Sequence, residues 1–388
     1  MTCSELHNRA GGCLVGGAVG DALGGATETW SPTEIRQRWG GWVQGVVEPY
    51  YPDWRTRRPV APFHKGDGHI TDDTLMTRML IEVYGEKRGH LDAYDVAERL
   101  VPRLIEERVW VPELETETVL LQRLALAEKY LSLRLHWAHA DPREAGVGNV
   151  VNCGAAMYIA PVGVVNAADP DAAYAEAIEL TGAHQSSYGR EAAGVMAAAV
   201  AAAMAPEATV DSVLAECLRM AKDGTRDAIA AVCEAATRLD HWSEAVESGA
   251  LRDAVRPFDS VADDYRNQGL GSRRPSRVHS IEELPIALGM LVIADGGWED
   301  TVFGGVNYGR DADSIASMGG AVAGALGGRA VIPDHLAEHV SRASRLDLEE
   351  PANTLADVAV EVRASDLERR ALADTAFSLL SDQHNLTC

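Results

Sequence analysis

Two carboxylates and a hydroxyl, Asp311, Asp313 and Ser314, close the segment Gly304-Gly305-Val306-Asn307-Tyr308-Gly309-Arg310-Asp311-Ala312-Asp313-Ser314. Oxygen donors of this kind suit a hard divalent cation, which takes carboxylates, hydroxyls and water in a near-octahedral set. A glycine-flanked turn would carry them to one point. A second oxygen cluster, Thr71-Asp72-Asp73-Thr74, stands just before Leu75, Met79 and Leu80, whose spacing predicts a helix. Thr and Asp are ordinary caps at a helix start, and the helix dipole favours carboxylates there. Consecutive oxygen-bearing side chains in this number exceed what one cap needs, however, and can fan out toward a cation. Glu28 is a third source of oxygen. Two Mg²⁺ or Mn²⁺ ions bridged by a shared carboxylate would satisfy so many ligands. The chain has no Cys/His spacing for zinc, no P-loop and no serine nucleophile elbow.

Helices of small residues must position these groups. In residues 10–25 Gly12, Gly16, Gly20 and Gly24 recur every four positions, so a helix gathers them into one bare stripe despite their poor propensity. Such a stripe lets a second backbone approach closely. The segment Ile315 to Leu326 carries Ala316 and Gly320, then Gly324 and Gly328, at the same spacing. The two stripes are expected to lie near each other, with Asp21 and Glu28 leaving the end of the first helix. Between Trp30 and Phe63 the periodicity is lost to Pro32, Pro49, Pro52, Pro59 and Pro62, and aromatics crowd in. This insertion, residues 30–66, reads as an irregular flap bordering the site, with a short strand at Trp42–Glu48. Its rings either pack over the core or stack on a substrate.

Residues from Asp92 to His139 read as helical. Gly146-Val147-Gly148-Asn149-Val150-Val151-Asn152-Cys153-Gly154-Ala155-Ala156-Met157 is a glycine-rich loop entering a small-residue helix. Its N–H groups either cradle a phosphate or make a close turn. Two helices over 172–205 join through His184, which either touches a ligand or is a satisfied cap or core residue. Helices are expected at 211–221, 226–239 and 242–250, then a polar loop from Val255 to Arg277 with Arg273, Arg274 and Arg277. A helix from Leu284 to Ala294 leads through Trp298–Phe303 to the Asp311 turn. Acidic amphipathic helices fill 333–388.

The 388 residues show no composition break, so one domain over 1–388 is expected, and 46% hydrophobic content is ample for its core. A net charge of −23 argues against nucleic acid and anionic membrane surfaces as partners. An anionic small ligand is still compatible with it, through a bound cation. Cys3, Cys13, Cys153, Cys217, Cys233 and Cys388 form no disulfide framework. With no signal peptide or bilayer-length apolar run, the expectation is a cytoplasmic protein.

Four segments together resemble the ADP-ribosylglycohydrolases, including the dinitrogenase-reductase-activating type. They are Gly12-Cys13-Leu14 through Gly20-Asp21-Ala22-Leu23-Gly24 to Glu28, Thr71-Asp72-Asp73-Thr74, Asn152-Cys153-Gly154-Ala155-Ala156-Met157, and Gly309-Arg310-Asp311-Ala312-Asp313-Ser314 with its Gly/Ala helix. They span about residues 10–330. The resemblance implies an all-α fold, a compact orthogonal helical bundle, with a dinuclear Mg²⁺ or Mn²⁺ centre held by Thr71, Asp72, Asp73, Asp311, Asp313 and Ser314. It implies hydrolysis of the bond between C1″ of ADP-ribose and a modified protein side chain or small conjugate. Glu28 and Asp73 are the two candidates for the catalytic carboxylate that handles water. Expected substrate contacts are Asp21, Asn152, Gly154, Ala155, Met157 and His184. The chain departs from the family pattern at Arg310, where glycine is usual, at Ser314, which keeps the threonine's hydroxyl, and at Tyr158, where arginine is frequent. Two other readings stay open: an N-ribosyl hydrolase of a nucleoside-like metabolite, and a non-catalytic structural or ligand-binding member of the fold.

Overall fold

The computed structural model describes residues 4–53, 66–111, 115–258 and 280–382. Residues 54–65 of the aromatic insertion and 259–277 of the expected polar loop lie outside them. In chain order the helices begin with α1 (Glu5–Gly24), α2 (Pro32–Trp39) and α3 (Asp72–Lys87). Next come α4 (Ala93–Asp95) and α5 (Val101–Glu106), joined by the π-helical turn Val96–Leu100. Strands β1 (Arg108–Val111) and β2 (Thr116–Val119) precede α6 (Leu126–Ser132), α7 (Ala160–Val165), α8 (Pro170–Thr181) and α9 (Ser187–Ala203). Then follow α10 (Val210–Met220), α11 (Asp223–Ala236), α12 (Trp242–Ser248), α13 (Ala250–Val255) and α14 (Ser280–Ile293). The last four are α15 (Trp298–Tyr308), α16 (Ala312–Gly327), α17 (Asp334–Ser344) and α18 (Glu350–Asp382). The fold is all-α, as expected.

Helix α1 is buried continuously from Arg9 to Gly24, and α16 from Ala312 to Ala325. A helix buried on every side belongs at the centre of its domain, and these two run through the core side by side. Their small residues meet backbone to backbone. A methyl group added at Gly12 would stand 2.1 Å from Gly324 O, at Gly20 2.2 Å from Ala316 O, and at Gly24 2.3 Å from Ala312 O. As the number rises along α1 it falls along α16, so the helices are antiparallel, and the C-terminal end of α1 meets the N-terminal end of α16. At the opposite end Arg9 ties α1 to its neighbours. Its Nη1 donates to Ala203 O of α9 at 2.9 Å and to Ala325 O of α16 at 3.2 Å, a cation on helix C-terminal carbonyls.

Several local expectations are corrected. No strand forms at Trp42–Glu48, because both main-chain groups of Val43 are taken by one side chain. Val43 N donates to Asn307 Oδ1 at 2.9 Å, and Asn307 Nδ2 donates to Val43 O at 2.7 Å. The aromatic segment is also not wholly irregular. Ser31 and Glu34 form a reciprocal capping box that starts α2, and Trp30 stacks on Tyr50 with ring centroids 3.3 Å apart. The helical reading of 92–139 fails at the β1–β2 hairpin, where Arg108 pairs with Val119 and Val111 with Thr116. Val109, Val111, Thr116, Thr118 and Val119 are β-branched and suit strands. Gly304 to Tyr308 belong to α15, and the turn before Asp311 is confined to Gly309 and Arg310. The helices expected over 172–205, 211–221, 226–239 and 242–250 are present within a few residues.

The glycine contact predicts a contrast in stability. Gly20→Ala forces a methyl into the Ala316 carbonyl and should cost at least ~2 kcal/mol, read as a fall in the thermal midpoint. Gly17→Ala, whose methyl would meet nothing closer than 3.4 Å, should melt close to the parent chain.

Candidate active site

The antiparallel pairing of α1 and α16 brings Asp21 and Glu28, at and beyond the end of one helix, to Asp311, Asp313 and Ser314, at the start of the other. Helix α3 enters with its N-terminus facing the same point, and Asp21 fixes it there. Asp21 is wholly buried. It accepts from Thr71 Oγ1 at 2.6 Å, from Thr71 N at 3.0 Å, from Thr74 N at 3.1 Å and from Thr74 Oγ1. A carboxylate from another helix thus caps α3, satisfying donors that a helix start leaves open. Asp21, expected as a substrate contact, is enclosed and caps this helix.

Two carboxylate sets result. One oxygen each from Asp21, Asp73 and Asp313 lie within 4.8 Å of one another, and so do one each from Glu28, Asp311 and Asp313. Asp313 belongs to both. Asp73 is 2% exposed, and its Oδ1 is buried without a hydrogen-bond partner. Buried oxygens of like charge at this spacing disfavour ionisation. Burial, and then Asp313, Asp21, Asp72 and Asp311 in turn, push the Asp73 carboxyl well above its usual range. Burial and then Asp313 raise Asp21 from an ordinary 3.8 to about 6, against the lowering effect of Thr71 and Thr74. Protons or a cation must relieve such a cluster, and a divalent ion would find three oxygens in either set with Asp313 as a bridge.

The other expected ligands and contacts divide. Ser314 stands beside this point, its Oγ 3.4 Å from Cys153 Sγ, and Thr71 is the N-cap residue of α3. Asp72 joins neither set, and its Oδ2 accepts from Ala125 N at 3.1 Å. Glu28 is half-buried, the most open of the carboxylates in the two sets. In the glycine loop several donors are spent inside the protein, as in a close turn. Gly146 N bonds Gly182 O, Asn149 N bonds Gly146 O, and Gly154 N bonds Asn152 Oδ1. Asn152 also takes Gln185 Nε2 at 2.8 Å, while Gly154, Ala155 and Met157 are buried behind it. His184 is wholly buried, with Nδ1 3.2 Å from Tyr158 Oη and Nε2 3.4 Å from Glu128 Oε1, a core histidine rather than a surface ligand.

The sequence reading missed Cys153 and Glu283. Cys153 Sγ donates to Asp311 Oδ2 at 3.0 Å, and Glu283 at the start of α14 forms with Cys153 and Asp311 a third close set. Burial and then Asp311 raise both groups well above their usual ranges, so the thiol keeps its proton and acts as a donor. An acidic residue opening a helix is commonplace, and nothing local sets Glu283 apart from Glu282.

The raised carboxyls predict a pH effect on the metal-free protein. In the folded state Asp21 holds its proton up to about pH 6, whereas the unfolded chain releases it near 3.8. Across that window the folded state binds more protons, so stability falls as pH rises from about 4 to 6. Thermal midpoints across this range should decrease, and Asp21→Asn should flatten the decrease.

Comparison with known proteins gives the family and the fold. The sequence profile of the ADP-ribosylglycohydrolases matches residues 2–368. The chain is 25% identical over 355 residues to the uncharacterized protein YegU of Escherichia coli K12, covering 89% of this chain and 95% of that one. It is 27% identical over 318 residues to an uncharacterized protein of Archaeoglobus fulgidus, covering 81% and 86%. An ADP-ribosyl-[dinitrogen reductase] glycohydrolase of Rhodospirillum rubrum is 34% identical over 106 residues, 25% of this chain and 29% of that protein. A solved ADP-ribosylglycohydrolase-related protein complex has the same fold, with a TM-score of 0.60 at 21% identity over 92% of this chain and 98% of the other. With that profile spanning nearly the whole chain, the protein belongs to the ADP-ribosylglycohydrolase family.

Proposed function

We propose that the protein is a metal-dependent hydrolase that cleaves the C1″ glycosidic bond of an ADP-ribosyl group, releasing a protein side chain or a small conjugate. The observation that carries this reading is the pair of carboxylate sets joined at Asp313, one of them including Asp73, whose Oδ1 is buried without a partner. Such oxygens fit Mg²⁺ or Mn²⁺ better than zinc, which prefers nitrogen and sulfur donors. Thr71, Asp73, Asp311, Asp313 and Ser314 would hold two ions, which when bound supply Lewis-acid polarisation and fix ribose hydroxyls and water.

The chain's own residues do the rest. Glu28, half-buried where Asp73 is closed off, is the carboxylate that orients the attacking water and accepts its proton. Negative charge from Asp311 and Asp313 favours positive character at the anomeric carbon as the leaving group departs. Cys153 holds one Asp311 oxygen through its S–H.

The protein, with Mg²⁺ or Mn²⁺, should release ADP-ribose from one or more of arginine-, serine- and O-acetyl-linked conjugates, followed by chromatography. Glu28→Gln should lower turnover by about 100-fold or more, and Asp311→Ala or chelation with EDTA should abolish it. Product from plain nucleosides alone, or full turnover in Asp311→Ala, would sink the proposal.

A further inference from the structure

Arg310 occupies the left-handed region, φ +56°, at the position immediately before Asp311. Glycine adopts that conformation without steric penalty, whereas an L side chain resists it. The arginine is held there from two directions. Its main chain is stitched to the turn that follows Glu28: Arg310 N donates to Trp30 O at 3.1 Å, and Thr29 N donates to Arg310 O at 2.5 Å. Thr29 is itself left-handed, φ +70°. Two strained turns therefore lie back to back, one presenting Glu28 and the other Asp311 and Asp313. Its side chain runs the opposite way, to the first turn of α14. Arg310 Nη2 donates to Glu282 Oε2 at 2.9 Å, and Nε lies 2.6 Å from Oε1.

Glu282 is 1% exposed and gathers further donors: Tyr308 Oη at 2.9 Å, with Arg252 Nη1 3.9 Å away. The same turn of α14 presents Glu283 to Asp311 and Cys153. A buried, well-partnered carboxylate holding a guanidinium is a rigid anchor, because releasing either partner leaves a charge without compensation.

We infer that Glu282 and Arg310 are positioning residues for the candidate metal centre. Their ion pair latches the Asp311 turn to α14, and through the Thr29 and Trp30 hydrogen bonds it sets Glu28 against Asp311 and Asp313. A glycine at 310 would permit the turn and leave it untied. The inference rests on the metal-centre reading above and assigns it two residues outside the oxygen ligands. Groups that orient metal ligands without touching the ion typically contribute about 10- to 100-fold to affinity.

The test is Mn²⁺ titrated into the metal-free full-length chain, with the free ion read by electron paramagnetic resonance well below each variant's thermal midpoint. Arg310→Gly relaxes the backbone and removes the latch. The double variant Glu282→Gln with Arg310→Gly does so without stranding a buried carboxylate. Both should raise the Mn²⁺ dissociation constant about tenfold or more, and Arg310→Lys, which keeps the charge but not the fork, should fall between them and the parent. Parental affinity in the double variant, even with a lowered thermal midpoint, would overturn the inference and reduce the pair to a stability element, leaving the metal reading intact. A parent chain that takes up no Mn²⁺ would overturn both.

Discussion

Two helices that touch along their backbones govern this molecule. The glycines of α1 and the small residues of α16 bring carbonyls within what would be 2.1 to 2.3 Å of an added methyl at Gly12, Gly20 and Gly24. No pair of ordinary helices, packed at 8–10 Å through side chains, could set Asp21 and Glu28 so near Asp311 and Asp313. The contact also fixes direction. Because the helices are antiparallel, the C-terminal end of α1 and the N-terminal end of α16 arrive together, and Asp21 reaches across to cap α3.

That economy of space carries an electrostatic consequence. Asp21, Asp73, Asp311, Asp313 and Glu283 are all nearly or fully buried, and burial with mutual repulsion raises Asp21, Asp73 and Glu283. Gathering these groups works against the fold's own stability unless protons or a cation compensate them. Around the cluster the donors are allotted closely. Thr71 and Thr74 serve Asp21, Cys153 serves Asp311, and the amide of Ser314 serves Asp313. Asp73 Oδ1 is left over. It is the atom that most clearly asks for a ligand from outside the chain.

Legibility in the sequence followed the range of the interaction. The glycine stripes, the Thr71 cap and the Asp311–Ser314 cluster are local patterns, and each stands in the fold where its spacing put it. Misreadings arose where a distant partner redirected a segment. Val43 looked like strand until Asn307 took both of its main-chain groups. Of the two readings left open for the glycine loop, cradle or close turn, the bonds of Gly146, Asn149 and Gly154 favour the turn. His184, read as either a ligand contact or a satisfied cap or core residue, lies wholly buried against Tyr158 and Glu128.

From the sequence alone came the family, through the resemblance of four segments, the all-α fold that the resemblance implies, and the oxygen-bearing residues, because caps and close-packed glycines are written in spacings of a few residues. Tertiary structure decided which oxygens share a point and which do not. It turned Asp21 into a cap and sent Asp72 toward Ala125. It also drew Cys153 and Glu283 to Asp311, and locked Arg310 onto Glu282. These are contacts between segments far apart in the chain, and their geometry follows from how whole helices pack, which no short stretch of sequence specifies.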